Sequence, residues 1–316
     1  MPWSRNPLCA LLGVRLPVIQ GGMVYMSGAR LAAAVSNAGG LGLIGSGSMR
    51  PDLFREQICK CRALTQRPFG VNIPLLYPHS GEILDITLAE RVPIVVTSAG
   101  SPRRAIGRLK AAGCVVLHVV ANPELAVKCE EAGCDAVICE GFEAGGHNGR
   151  EELTTMVLVP ECVAAVRVPV VAAGGIATGA QWAAATALGA AGVQIGSRFA
   201  VTQESSGHAA FKDLVVRAGF GDTMLMMKRH VPVRLLRNRF AAAVAALEDR
   251  GASRDELMEL LGQGRARRGM LEGDLDEGEL EIGQVSGLID DIPTVAELMD
   301  RLVAQYDEAV RRLVRP

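Results

Sequence analysis

Aromatic residues are scarce in this chain: two Trp, three Tyr and seven Phe make up 4% of its 316 residues. Charge of one sign is also missing, because 33 Lys and Arg stand against 34 Asp and Glu, a net of -1. Without a whole-chain field there is no means of gathering nucleic acid or an anionic membrane. No apolar run approaches the roughly 18 residues that a membrane span needs. The eight cysteines contain no C-x-x-C pair, which removes zinc-ribbon and thioredoxin-like readings, and no three histidines are spaced as metal ligands. Residues 8–12 are too few for a signal-peptide core and are soon followed by Arg15. Instead Asn6 as N-cap, Pro7 at the first helical position and Gly13 as terminator predict a short helix. The expectation is a soluble cytoplasmic protein whose thiols are reduced and mostly buried.

What is present is apolar content, at 49%, and glycine, at 36 residues. The first excludes disorder, and the second suits many tight strand-to-helix turns. Val- and Ile-rich runs begin at 17, 41, 69, 94, 115, 136, 170 and 193, at intervals of 21 to 34 residues. Helical stretches lie between them, including 29–38, 52–64, 103–112, 124–132 and 180–188. Near-continuous apolar strands alternating with helices predict a parallel sheet buried on both faces. Eight such units predict a closed (β/α)8 barrel, with an open doubly wound sheet as the alternative. The barrel is expected over 1–204 and a helical cap or insert without strands over 205–282. A C-terminal segment, 283–316, is expected to return to the barrel through an amphipathic helix carrying Val295, Leu298, Leu302, Val303, Tyr306 and Val310.

Sites on such barrels form where the strands end at their C-terminal side. Gly174 and Gly175 follow the seventh predicted strand, and Gly196 and Ser197 end the eighth. Backbone N–H groups at these two places can hold a phosphate, and Ser197 adds a hydroxyl; tight turns alone would also explain the glycines. The longest interval, after the sixth strand, holds the segment EGFEAGGHNG at 140–149. His147 lies there between glycines, as a proton-exchanging group at the barrel mouth or as a solvated loop residue. Gly21, Gly22 and Met23 follow the first strand and allow close backbone approach to a flat ligand. Asn72 can both donate and accept, which suits a ring such as a flavin's pyrimidine side or an unmet backbone group. Glu140, ending the sixth strand, suits ribityl hydroxyls. His118 is read as a packing residue on the fifth strand.

The motifs PVIQGGM at 17–23, AGGLGLIG at 38–45, PFGVNI at 68–73, EAGGH at 143–147, TTMVLV at 154–159, AAGGI at 172–176, QIGSRF at 194–199 and GQVSG at 283–287 run across nearly the whole chain. In that order they resemble the flavin-dependent enoyl-acyl carrier protein reductase II family, which is related to the nitronate monooxygenases. The resemblance implies FMN, with its phosphate on Gly174, Gly175, Gly196 and Ser197. It implies Asn72, Gly22 and Met23 at the flavin ring, His147 as the catalytic histidine, and a homodimer. It also implies NAD(P)H as reductant of an enoyl thioester carried by acyl carrier protein. The chain departs from the reductase pattern at Glu281-Ile282, where an apolar Met-containing run is usual. It departs also in two residues added between Gly149 and Thr154, and at Ser98, where glycine is common.

Two other activities are weighed beside enoyl reduction: FMN- and oxygen-dependent oxidation of alkyl nitronates, and non-redox binding of a phosphorylated ligand. A basic cluster at 228–239 (Lys228, Arg229, His230, Arg234, Arg237, Arg239) reads as a solvated helix face. The functional alternative is a docking patch for acyl carrier protein or a dinucleotide phosphate.

Overall fold

The computed structural model describes residues 3–314; the outermost residues of the first and last predicted segments, 1–2 and 315–316, lie outside the described ones. Six strands come first: β1 (Val18–Gln20), β2 (Gly42–Gly45), β3 (Phe69–Pro74), β4 (Ile94–Ser98), β5 (Val115–Val120) and β6 (Ala136–Glu140). After the short β7 (Gly146–His147), which stands apart, come β8 (Val170–Ala173) and β9 (Gly192–Ile195). All except β7 pair in parallel in the order β1-β9-β8-β6-β5-β4-β3-β2. A parallel bridge between Ile19 and Leu41 returns β1 to the start of β2, so the sheet rolls into a (β/α)8 barrel. The expected fold is therefore the observed one, and the strands lie within two residues of their predicted positions.

Strand parity divides the core. Ile19, Leu41, Leu43, Ile94, Val96, Leu117, Ile138 and Val171 fill the barrel interior. Val18, Ile44, Val71, Val95, Val116, Val137 and Val193 face the surrounding helices. The first helix, α1 (Pro7–Leu12), has its N-terminus capped by Asn6, whose side chain accepts from Cys9 N at 3.0 Å, and ends at left-handed Gly13. Its Leu8 and Leu12 join the interior cluster and plug one end of the barrel. That leaves only the other end open to a ligand.

The outer helices are α2 (Ala29–Asn37), α3 (Pro51–Leu64), α4 (Ser80–Ala89), α5 (Ile106–Ala111), α6 (Pro123–Ala132), α7 (Thr155–Ala165) and α8 (Gly179–Ala187). After the short α9 (Ser197–Ala200) and α10 (Ala209–Val216) the chain leaves the barrel. Here the expectation of helices alone is corrected: β10 (Thr223–Met226) and β11 (Val233–Leu236) form an antiparallel pair, and β7 joins β11. The helices α11 (Arg239–Asp249) and α12 (Arg254–Leu261) cover this small sheet through Phe240, Val244 and Leu257. The last helix, α13 (Val295–Val314), packs on α8, and Trp182 stacks between Trp3 and Tyr306 at centroid distances of 4.9 and 4.5 Å. Among the described residues no helix is long and apolar enough to cross a membrane.

Candidate active site

At the open end the inward-facing side chains change from apolar to polar. Asn72 donates from Nδ2 toward Val96 O and Ser98 Oγ, each at a long 3.4 Å, so its amide is held loosely. Glu140, in register with inward Ala136 and Ile138, is pushed up to about 7 by burial alone. Gln194 is 7% exposed and its Oε1 is buried without a hydrogen-bond partner. A buried amide oxygen without a donor is costly. This collar therefore has one buried acceptor in want of a donor, at Gln194, and one loosely held donor, at Asn72, both of which a hydroxyl-bearing ligand can meet.

The glycines around the collar leave room for that ligand. A Cβ on Gly21 would stand 3.5 Å from Gly196 Cα and 3.7 Å from Gln194 Cγ. Gly174 and Gly175 have φ of 83° and 66°, left-handed values that suit glycine. Among the described residues the N–H groups of Gly174, Gly175 and Ser197 donate to no protein acceptor. Together the open backbone donors, the polar collar and the glycine floor fit FMN, with an anion at one end and a polyol and ring beyond it.

Several side chains that the sequence did not single out hold these loops. Gln20 is fully buried; its Oε1 accepts from Leu43 N at 3.1 Å, and its Nε2 donates to Ser27 Oγ at 2.8 Å and to Gly21 O. It thereby fastens the loop after β1 to β2. The Glu143 carboxylate accepts from Thr155 N at 3.0 Å, and the Thr155 hydroxyl donates toward Gly174 O at 3.0 Å. Ser197 Oγ accepts from Gly283 N at 2.9 Å, and Glu143 O accepts from Gln284 N at 2.9 Å. Segment 283–284 thus ties the loop after β6 to the loop after β9.

His147 is not on a free loop. It is an exposed residue of β7, paired in register with Val233 of β11, while Asn148 N donates to Pro232 O at 2.9 Å. The basic cluster is corrected as well, since it runs from a turn through β11 to the first residue of α11 rather than along one helix face. Arg234, 3% exposed, donates from Nε and Nη2 to Phe142 O at 3.1 and 2.9 Å, and its guanidinium lies 5.3 Å from the Phe142 ring centre. Burial lowers its pKa, while the nearby carboxylates of Glu143 and Glu152 oppose that shift. Arg234 therefore anchors the loop bearing His147. Lys228, Arg229, Arg237 and Arg239 remain exposed.

His118 lies outside this constellation. Parity places it on the outer face of β5, where its Nδ1 is 2.7 Å from Thr97 Oγ1, and burial pushes its pKa down to about 4. Seven of the eight cysteines are buried and Cys59 is exposed. Among the described residues no group of His, Cys, Asp and Glu is placed to hold a metal.

Comparison with known proteins places this geometry among relatives. The family model for nitronate monooxygenase matches residues 5–85 and 79–305. The structure of FabK from Thermotoga maritima is 43% identical, with a TM-score of 0.94 and 98% of each chain covered. A nitroalkane oxidase from Streptomyces ansochromogenes is 31% identical, with a TM-score of 0.81, over 97% of this chain and 99% of that one. A 5-hydroxy-7a-methyl-1-oxo-octahydro-1H-indene-4-carboxyl-CoA dehydrogenase from Rhodococcus jostii is 35% identical over 99% of this chain and 98% of its own.

Proposed function

The chain belongs to the nitronate monooxygenase family, and from that premise we propose that it is an FMN-dependent reductase of the trans-2 double bond of enoyl thioesters on acyl carrier protein, with NAD(P)H as reductant. The relatives are flavin oxidoreductases, and oxidoreductase is the coarser statement on which this reading is built. What carries the finer reading is the likeness to FabK, at 43% identity and a TM-score of 0.94 against 31% and 0.81 for the nitroalkane oxidase. The Rhodococcus relative, named for a carboxyl-CoA substrate, adds a second acyl thioester among the relatives.

In this reading Gly174, Gly175, Gly196 and Ser197 hold the FMN phosphate, and Glu140 accepts from ribityl hydroxyls. Gly21, Gly22, Met23 and Asn72 line the ring. Bound FMN supplies reversible hydride transfer. The protein's own work is binding, orientation and proton movement. His147, on a paired strand rather than a loose loop, gives a proton to the α-carbon or orients the thioester carbonyl. Arg234 keeps the strand's approach fixed through Phe142 O. The exposed Arg237 and Arg239 are the candidate contacts for an acidic carrier protein; buried Arg234 is not.

Anaerobic mixing of the FMN-loaded protein with NADH or NADPH, then with a crotonyl thioester, tests the reading. Bleaching by a nicotinamide and reoxidation by the thioester are the expected outcomes. Bleaching by a nitronate but by neither nicotinamide would replace it with nitronate oxidation, the activity that gives the family its name. His147→Ala with undiminished turnover would remove that residue from the chemistry.

A further inference from the structure

Two segments far apart in sequence complete one edge of β11. Glu281 bridges Leu235, and Leu236 N donates to Leu280 O at 2.9 Å. On the same edge Gly146 pairs with Arg234 and His147 with Val233. Residues 280, 281, 146 and 147 therefore lie end to end, as if they were one strand, and Glu281 stands two places from His147. The residue between them is Gly146, at φ 74°, and a Cβ there would come within 2.6 Å of Glu281 Oε2. Glycine thus leaves the space into which the Glu281 carboxyl turns.

Glu279 is the alternate residue of the same extended segment and faces the same way as Glu281. Its N donates to Arg265 O at 3.0 Å, but the Arg265 guanidinium pairs with Glu277 at 3.3 Å. Among the described residues neither Glu279 nor Glu281 makes an ion pair. The other titratable and charged groups facing the pair are His147, Tyr25 and, at Glu279, Arg265, while Arg234 of β11 is turned onto Phe142 O. Tyr25 is held in the left-handed region at φ 59° in the loop after β1.

We propose that Glu281, paired with Glu279, is a positioning and proton-relay residue that returns a proton to His147 each time His147 gives one to the substrate. This rests on the reading of His147 as the site's acid. The step is proton transfer only. The O–H bond of the carboxylic acid breaks and an imidazole N–H forms; the imidazolium then loses that proton to the α-carbon, where a C–H bond forms. The carboxylate left behind takes a proton from solvent, and nothing is oxidised or reduced by the relay. Burial raises both carboxyls to about 7; at Glu279 the neighbouring Glu281 adds to the rise, and His147 and Arg265 partly counter it. The pair therefore retains a proton near neutrality, where a lone exposed glutamate would not.

The test compares wild type with Glu281→Gln, Glu279→Gln and Glu281→Asp. Infrared difference spectra of the flavin-free protein follow the carbonyl band of a protonated carboxylic acid across neutrality, with every variant compared in a Glu140→Gln background because the buried Glu140 carboxyl titrates in the same range. The band is expected to titrate in wild type and in Glu281→Asp, and to be lost or displaced in Glu281→Gln and Glu279→Gln. In turnover of a crotonyl thioester by the FMN-loaded enzyme, Glu281→Gln is expected to lower kcat on the order of tenfold with KM nearly unchanged. The fall in rate above neutrality should disappear in that variant and return in Glu281→Asp. An infrared titration identical in wild type and Glu281→Gln, or an unaltered pH profile, overturns the relay. Full activity of His147→Ala overturns instead the reading on which the relay rests, and the infrared result shows separately whether the acid pair exists.

Discussion

A Cβ placed on Gly22 would lie 2.2 Å from Asn72 Cβ and 2.8 Å from Asn72 Cγ. The loop after β1 and the polar end of β3 therefore meet at a point where any side chain must displace the asparagine. Gly22→Ala is expected to cost about 1–3 kcal/mol of overpacking. Where that strain falls on the site, each 1.4 kcal/mol or so weakens FMN about tenfold. Flavin fluorescence titration, run beside a melting curve, checks this. A folded variant with unchanged Kd would separate the Gly22–Asn72 contact from cofactor binding.

The anchor under the His147 segment is testable independently of flavin. Arg234→Met removes both donors to Phe142 O while retaining much of the apolar stem. An unpaired buried carbonyl costs about 1–3 kcal/mol, and the loss is expected to appear locally first. Hydrogen exchange should rise over 141–149 well before it rises in β5 or β6. Turnover should fall on the order of tenfold, because a loosened histidine is misplaced more of the time. Exchange that rises evenly across the barrel would mean that Arg234 serves global stability instead.

The barrel was legible because its signal is local. Runs such as Val115–Val120 and Val170–Ala173 are apolar throughout, and each falls where the structure has a strand. The small second sheet was not legible. Thr223–Met226 and Val233–Leu236 are four residues each, rich in Met and Leu, with a charge at Arg234 in the middle of one. Nothing in such runs indicates a strand, and the pairing of Gly146 and His147 with β11 is wholly non-local. Gln194 was legible in principle, because strand parity turns it inward like Asn72. The role of Gln20 was hidden: its contacts with Leu43 and Ser27 depend on how the loop after β1 folds back. Glu281 stood out in sequence as a departure from the reductase pattern, but its contact with Gly146 depends on two distant segments meeting on β11.

The loop that begins with Gly196 and Ser197 is held from below by a buried cation. Arg198, 3% exposed, donates to Asp291 O at 3.1 Å and to Asp291 Oδ1, and Arg301 also reaches Asp291 at 2.7 Å. Removing one partner of a buried pair leaves an uncompensated charge, at a cost of about 3–5 kcal/mol. Asp291 is partly open to solvent, so Asp291→Ala is expected near the lower end, about 3 kcal/mol. Arg301→Ala removes only the exposed arm and should cost less than about 1 kcal/mol. Chemical denaturation of the two variants checks the contrast. Equal losses would mean that the buried position of Arg198 does not set the balance.

Glu140 links folding, pH and cofactor at one atom pair. Burial raises its carboxyl to about 7, so the folded chain holds that proton more tightly than the unfolded chain does. Its contribution to stability is complete below the ordinary glutamate range and is lost as pH rises through about 7. Without flavin, Glu140→Gln should therefore melt higher than wild type above neutrality, with no advantage in acid. Bound FMN reverses the preference at the same residue, because ribityl hydroxyls donating to the collar favour the carboxylate. Binding should release a proton near neutrality, and FMN affinity should weaken as pH falls below about 7. Calorimetric titration in two buffers of different ionisation enthalpy measures that proton directly. Glu279 and Glu281 titrate in the same range, so the informative quantity is the difference between wild type and Glu140→Gln. If the variant releases as much proton as wild type, Glu140 does not face the ribityl chain, and the FMN must lie across the barrel mouth in another orientation.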